Sequence, residues 1–247
     1  MLNKEKISEL LPNTTVVTYE TTDSTNTRAI ELAKTVCGNI LVVSEEQTNG
    51  KGRQGKKFYS PAKSGIYFSV VIHPEGRLTD VVSVTSATSV AVAKTIEEMT
   101  DLSPEIKWVN DIYIKHKKIC GILVQSIVRN GTIDGLCIGI GVNISTTEFP
   151  EEFRSRAGSL GEEIDRDLFV AKVTQKLIAF SENVSDKSYL EYYKKKSCVI
   201  GKKIKYFENN IEHFADAIGI DDNANLIVNE NGKIKKLSSG EITVRFN

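Results

Sequence analysis

Apolar positions recur along this chain with two periods, near 2 and near 3.6 residues, and the switches between them outline its elements. Val16 to Glu20 is a short strand. Asp23-Ser24-Thr25-Asn26 offers helix caps, and Ala29, Ile30, Leu32, Ala33 and Val36 follow at helical spacing. Ile40 to Ser44 is an apolar run of strand length. The next stretch, Glu45 to Ser64, is polar, basic and glycine-rich, and is predicted to be a long loop of the kind that carries function or moves. Ile66 to Ile72 is a strand, and Val81 to Met99 is a helix whose Ala, Ser and Val content suits close packing on a sheet. Glu105 to Val109, Asp111 to Ile114 and Lys118 to Ile127 are strands, with Asn110-Asp111 as a turn. Asn130-Gly131 predicts a hairpin into Ile133 to Ile140.

Asp167 to Phe180 carries an apolar face at helical spacing, and Ser188 to Lys196 is a second helix. After Cys198 five short strands follow: Lys203 to Phe207, His213 to Ile220, Asn225 to Val228, Lys233 to Leu237 and Ile242 to Phe246. Strands this short, separated by Asp221-Asp222-Asn223, Asn231-Gly232 and Ser238-Ser239-Gly240, predict a small barrel. The boundary falls near 185–198, giving a large unit over 1–197 and a small one over 198–247. The expected fold is α+β: a mixed β-sheet with helices packed on one side, then an SH3-like barrel. No internal repeat or low-complexity tract interrupts it.

Composition narrows the class. The chain has 247 residues, 40% hydrophobic and 26% charged, as a globular protein requires. Lys and Arg total 32 against 32 Asp and Glu, so no excess positive charge favours binding to nucleic acid, and no DNA partner is expected. Cys37, Cys120, Cys137 and Cys198 are widely spaced, with no CxxC and no nearby His, which argues against a disulfide framework or a zinc site. They are expected to be buried thiols in a reducing compartment. The N-terminus lacks a signal peptide's apolar core, and no apolar run reaches the ~18 residues of a membrane span. The expectation is a cytoplasmic protein with no membrane partner.

Three segments carry candidate chemistry. In Gly50-Lys51-Gly52-Arg53-Gln54-Gly55-Lys56-Lys57, glycines alternate with cations. Glycine lets backbone approach a ligand, and free N–H groups with cations form an anion-binding concavity. The segment lacks the GxxxxGK[ST] pattern and opens no helix, so neither a Walker A loop nor a dinucleotide fingerprint applies. A solvated basic loop accounts for its composition equally well. Lys107-Trp108-Val109-Asn110-Asp111, with Lys115 to Ile122, reads as strand, turn and returning strand, and standing alone it is a core Trp beside a soluble hairpin tip. Gly139-Ile140-Gly141-Val142-Asn143-Ile144 is a strand whose glycines permit close approach of a ligand or another strand. His73, His116 and His213 are scattered and suggest no nucleophile–histidine pair.

Taken together and in order, Asp23-Ser24-Thr25-Asn26, the Gln47 to Lys56 loop, KWVNDIYI with KKICGILVQS, and GIGVNIS resemble the biotin–protein ligase family over Val16 to Ser145. The resemblance implies a class II synthetase-like catalytic domain, with the small barrel as the family's C-terminal domain. It implies that Ser24, Thr25 and Asn26 line the biotin pocket, with Gln47 at its mouth. Gly50, Lys51, Gly52 and Arg53 would close over biotin and its adenylate, Lys118 would contact the reacting carboxylate and phosphate, and Gly121 would lie near the biotin rings. Arg53, Lys56, Phe58, Asn110, Lys118 and Asn143 would take the nucleotide. Asp111 is a candidate ligand of Mg²⁺. Lys51 and Lys56 depart from the family's arginines, replacing a planar fork with a point charge. The 15 residues before Val16 are too few for the operator-binding domain of some relatives, so no repressor role is expected.

On this reading ATP and biotin are substrates, and a biotin carrier domain of acetyl-CoA carboxylase or a related carboxylase is the partner. A homodimer through a sheet edge is allowed. Both reactants are anionic, so Arg53, Lys118 and Mg²⁺ are assigned to offset their repulsion. Alternatives are a lipoate or octanoate transferase of the same fold superfamily, a catalytically silent biotin- or nucleotide-binding module, and a barrel that binds peptide or RNA.

Overall fold

The computed structural model describes residues 2–74, 81–208, 211–238, 240 and 242–244. The elements, in chain order, are α1 (Lys4–Leu10), β1 (Thr14–Thr22), α2 (Thr25–Leu32), β2 (Asn39–Gln47), β3 (Gly65–Ile72), α3 (Val81–Met99), β4 (Glu105–Lys107), β5 (Asp111–Ile114), β6 (Lys117–Arg129) and β7 (Thr132–Asn143). They continue as α4 (Glu151–Arg154), α5 (Arg166–Glu182), α6 (Tyr189–Lys196), β8 (Lys203–Glu208), β9 (Ile211–Ile220), β10 (Leu226–Glu230), β11 (Lys233–Leu237) and β12 (Ile242–Val244).

The seven-stranded sheet has the order β1-β2-β3-β7-β6-β5-β4. Only β1 and β2 run parallel; the other neighbours are antiparallel, so the sheet is mixed. Strand alternation divides its apolar residues. Leu41 and Val43 of β2 join the large core with α3, α5 and α6, whereas Ile40 and Val42 pack with Ala29 and Ala33 beside α2. Helices therefore cover both faces, which corrects the expectation of one. The apolar pattern of α2 marks its buried stripe but cannot say which side of the sheet receives it.

α3 spans the residues its pattern predicts. Its many buried hydroxyls are satisfied locally: Thr85, Thr88 and Thr95 donate to carbonyls one turn back, at 2.7, 2.7 and 2.8 Å. Asn130 and Gly131 have φ of 51° and 78°, the paired positive angles of a two-residue hairpin turn. The loop expected over Glu45 to Ser64 is shorter and more ordered than its composition suggests. β2 runs on to Gln47, and Glu45 is buried, chelated by Arg166 of α5 at 3.0 and 3.1 Å. α1 and α4 were not expected; at seven and four residues they are shorter than the window over which helical periodicity can be read.

The C-terminal strands form a five-stranded antiparallel sheet, β11-β10-β9-β8-β12, as expected of a small SH3-like barrel. The predicted end of its last strand, Arg245 and Phe246, lies outside the described residues. The barrel is anchored to the larger unit through Trp108, whose indole N–H donates to the Ala224 carbonyl at 2.9 Å. The Cys198 N–H donates to the Ile106 carbonyl at 3.0 Å. The cysteines are free, but Cys37 is exposed, in the connection beyond α2, which corrects the expectation that all are buried. Among the described residues, no helix is long and apolar enough to cross a membrane.

Candidate active site

Two chambers lie side by side on the α2 face of the sheet and share Gly52, Arg53, Phe58, Asn110 and Lys118. The smaller, about 40 Å³, is lined by Ser24, Thr25 and Asn26 at the start of α2, by Gln47 and Lys51, and by Gly121, Gly139 and Gly141 of the two central strands. β6 and β7 pair Gly121 with Gly141, so the glycines form one floor. A methyl group at Gly139 would strike the Asn26 side chain, and one at Gly141 would strike the Phe58 ring. Glycine is required there by close approach.

The chamber's polar wall is connected. Asn26 Nδ2 donates to Gln125 Oε1 at 2.8 Å, and Ser69 Oγ donates to Asn26 Oδ1 at 2.6 Å. The Thr25 N–H donates to Gln47 Oε1 at 2.9 Å. Ser69 and Gln125 were not singled out in the sequence: Ser69 is one small polar residue in an apolar strand, and Gln125 stands beside Ser126 at the end of the KKICGILVQS run. The glycines of the GIGVN run were legible as points of close approach.

The larger chamber, about 550 Å³, is lined by Arg53, Lys56, Lys57, Lys107, Lys118 and Arg156, against Asp111 and Glu152. Its cation excess suits a polyanion. Phe58, Trp108, Tyr113, Phe149 and Phe153 add aromatic surface, and Gly240, Ile242 and Thr243 bring in the barrel. Burial holds the Tyr113 hydroxyl well above the ordinary phenol range, so it stays protonated at neutral pH.

Lys118 stands at the junction. Its Nζ lies 2.7 Å from Asp111 Oδ1, and its ammonium reaches over Gly121. Its backbone is fixed on a second side, donating to the Arg156 carbonyl at 2.8 Å and accepting from the Gly158 N–H at 2.9 Å. Arg53, in the short turn Arg53–Gly55, donates to Asn110 Oδ1 at 3.0 Å, and Asn110 in turn donates to the Ile122 carbonyl at 2.9 Å. Asn143 donates to the Gly158 carbonyl at 2.9 Å, and among the described residues its buried Oδ1, beside the larger chamber, has no hydrogen-bond partner. The 144–160 segment, which braces Lys118 and Asn143, was not expected to belong to the site.

Every expected biotin-site residue except Gly50 lines the smaller chamber, and every expected nucleotide residue lines the larger. Gly50 lines neither. It sits under the Phe58 carbonyl and the Ser60 hydroxyl, where a side chain would clash, so its role is to let the loop close. Among the described residues, no three His, Cys, Asp or Glu side chains converge to hold a metal. Mg²⁺ is commonly held by one or two carboxylates together with substrate phosphates, and Asp111 and Glu152 line the larger chamber in that number.

A sequence model described as the biotin/lipoate A/B protein ligase family matches residues 18–143. The bifunctional ligase/repressor BirA of Bacillus subtilis is 31% identical over 242 residues, covering 92% of this chain and 73% of its own. The biotin–[acetyl-CoA-carboxylase] ligase of Mycobacterium tuberculosis is 25% identical over 239 residues, covering 88% of this chain and 85% of its own. The solved structure of the biotin protein ligase from Aquifex aeolicus in complex with biotin and ATP superposes with a TM-score of 0.78 at 27% identity, covering 94% of this chain and 99% of that one.

Proposed function

The chain belongs to the biotin/lipoate A/B protein ligase family, and we propose that its smaller chamber takes biotin, its larger chamber takes ATP, and the two react at Arg53 and Lys118. It is a ligase of the biotin–[acetyl-CoA-carboxylase] type. The observation that carries the site assignment is the shared wall: a polar, glycine-floored pocket meets a cationic, aromatic one at an arginine and a lysine.

In the first step a biotin carboxylate oxygen attacks the α-phosphorus of ATP, and pyrophosphate leaves. Arg53 and Lys118 offset the repulsion between the two anions and stabilise the charge that builds on the phosphate. Asp111 holds the Lys118 ammonium in place until the phosphate supplies a stronger partner. Asp111 and Glu152 would hold Mg²⁺, and the ion would supply further charge neutralisation. Asn143 Oδ1, buried and without a partner among the described residues, accepts from a nucleobase amino group. In the second step a neutral lysine amine of the acceptor attacks the acyl carbon of the mixed anhydride, and AMP leaves. The Lys51 to Phe58 turn covers the junction and keeps water from that anhydride.

The polar wall favours biotin over lipoate. Ser24, Thr25, Asn26 and Gln47 line the smaller chamber with side chains able to hydrogen-bond a ureido ring, a pairing that a dithiolane cannot make. The partner in this reading is a biotin carrier domain of acetyl-CoA carboxylase or a related carboxylase, met in the cytoplasm. The reading covers ligation alone and gives the chain no repressor role. It divides the work between a catalytic unit over 1–197 and a barrel over 198–247 that closes the nucleotide chamber. The test is to incubate the protein with biotin, MgATP and a biotin carrier domain, and to weigh the carrier. Addition of one biotinyl group is expected; an unchanged mass would overturn the reading, and lipoate in place of biotin provides the control.

A further inference from the structure

Beneath the Lys51 to Phe58 turn lies a chain of hydrogen bonds that the reaction does not use directly. The Gln47 carboxamide is held at both ends. Its Oε1 accepts from the Thr25 N–H at 2.9 Å and from the Thr25 hydroxyl at 3.1 Å. Its Nε2 donates to Ser60 Oγ at 2.9 Å, and Ser60 Oγ donates to the Phe58 carbonyl at 3.1 Å. A backbone N–H can only donate, so the amide of Gln47 cannot be flipped without setting N–H against N–H. At the far end, Thr25 Oγ1 lies 2.8 Å from Ser69 Oγ, which donates to Asn26 Oδ1. The chain thus runs from Thr25, in the wall of the smaller chamber, through Gln47 and Ser60 to the Phe58 carbonyl.

Ser60 is its last side chain. It is buried, at 3% exposure, and the Gln47 N–H donates to its carbonyl at 3.1 Å. The Phe58 N–H donates to the Gly50 carbonyl at 2.9 Å, so Gly50, Phe58, Ser60 and Gln47 form one clasp at the base of the turn. A side chain at Gly50 would strike the Phe58 carbonyl, the Ser60 hydroxyl and the Gln47 amide, which accounts for the glycine there.

We infer that Ser60 is a positioning residue, which couples occupancy of the smaller chamber to closure of the basic turn through Gln47 and the Phe58 carbonyl. The inference rests on the reading of that chamber as the biotin site. A ligand that engages Thr25 and Gln47 fixes the Gln47 amide, the amide fixes the Ser60 hydroxyl, and the hydroxyl holds Phe58 over the shared wall. Without the hydroxyl, Gln47 Nε2 loses its acceptor and the Phe58 carbonyl loses its donor, while the Thr25 N–H still donates to Gln47 Oε1.

The test follows amide hydrogen exchange at Gly52, Lys56 and Phe58, with and without saturating biotin, in the parent, Ser60→Ala and the hydroxyl-retaining Ser60→Thr. Biotin binding to each protein is titrated in parallel. Biotin is expected to slow exchange of these amides in the parent and in Ser60→Thr. In Ser60→Ala with biotin bound, they are expected to exchange about tenfold faster than in the biotin-bound parent, the scale of one lost buried partner. KM for biotin is expected to rise in Ser60→Ala and to return towards the parent value in Ser60→Thr, a rescue that general destabilisation would not produce. Equal protection of the turn by bound biotin in Ser60→Ala and the parent would overturn this inference alone. Failure of biotin to bind the parent would overturn the functional reading, and this inference with it.

Discussion

The Lys118 ammonium and the Asp111 carboxylate lie 2.7 Å apart, and a β-bulge puts them there. β5 and β6 pair Ile112 with Cys120 but Tyr113 with Lys118, so Ile119 is an extra residue. Ile119 and Cys120 both face the core, and Lys118 is turned onto the face that carries Gly121. Replacing Lys118 with alanine is expected to lower biotin-dependent pyrophosphate exchange by about 10²–10³, the usual effect of losing one preorganised charge in a transition state. Asp111→Asn should cost less, because it loosens the ammonium without removing it. Wild-type exchange by Lys118→Ala would refute the assignment.

Gly139 lies directly beneath the Asn26 side chain. Gly139→Ala should displace Asn26 from Ser69 and Gln125, destabilising the fold by about 1–3 kcal/mol, as overpacking does. Isothermal titration should show weakened biotin binding, with ATP binding retained. Unchanged biotin affinity would mean that the floor of the smaller chamber does not contact the ligand.

Trp108 joins the two units and also lines the larger chamber. Trp108→Phe keeps an aromatic ring but leaves the buried Ala224 carbonyl without its donor, a loss of about 1–3 kcal/mol. Steady-state kinetics should show a raised KM for ATP with KM for biotin near the parent value. Equal changes in both constants would argue against a nucleotide chamber closed by the barrel.

Asp221 folds the turn that presents Ala224. Burial disfavours its charge, but hydrogen bonds from Asn225, the Asn223 N–H and Lys236 outweigh that and bring its pKa down to about 2. A carboxyl with a depressed folded pKa contributes stability above its unfolded value of about 3.8, and the contribution is lost as pH falls towards 2. Thermal melts should therefore fall more steeply between pH 4 and 2 in the parent than in Asp221→Ala. Parallel curves would show that the turn makes no such contribution.

Local residue patterns determined much of this protein. The small-residue run of α3, the Asn130-Gly131 turn and the short punctuated strands after Cys198 each depend on neighbours within one element, so period and turn chemistry suffice to place them. The order of the chemical segments carried the family resemblance, and it was the resemblance that implied one site for Arg53, Lys118 and the polar start of α2.

Tertiary structure decided what those segments meet. Which face of the sheet α2 covers, the bulge that turns Lys118 towards Gly121, and the placing of Ser69, Gln125 and Ser60 under the pocket all follow from pairings between residues distant in sequence. The same holds for Gly240, Ile242 and Thr243, which complete the larger chamber from the other unit. The physical reason is that a hydrophobic stripe specifies that a face is buried but not its partner, and a lone polar residue in an apolar strand declares no role until another strand brings it a hydrogen-bond partner.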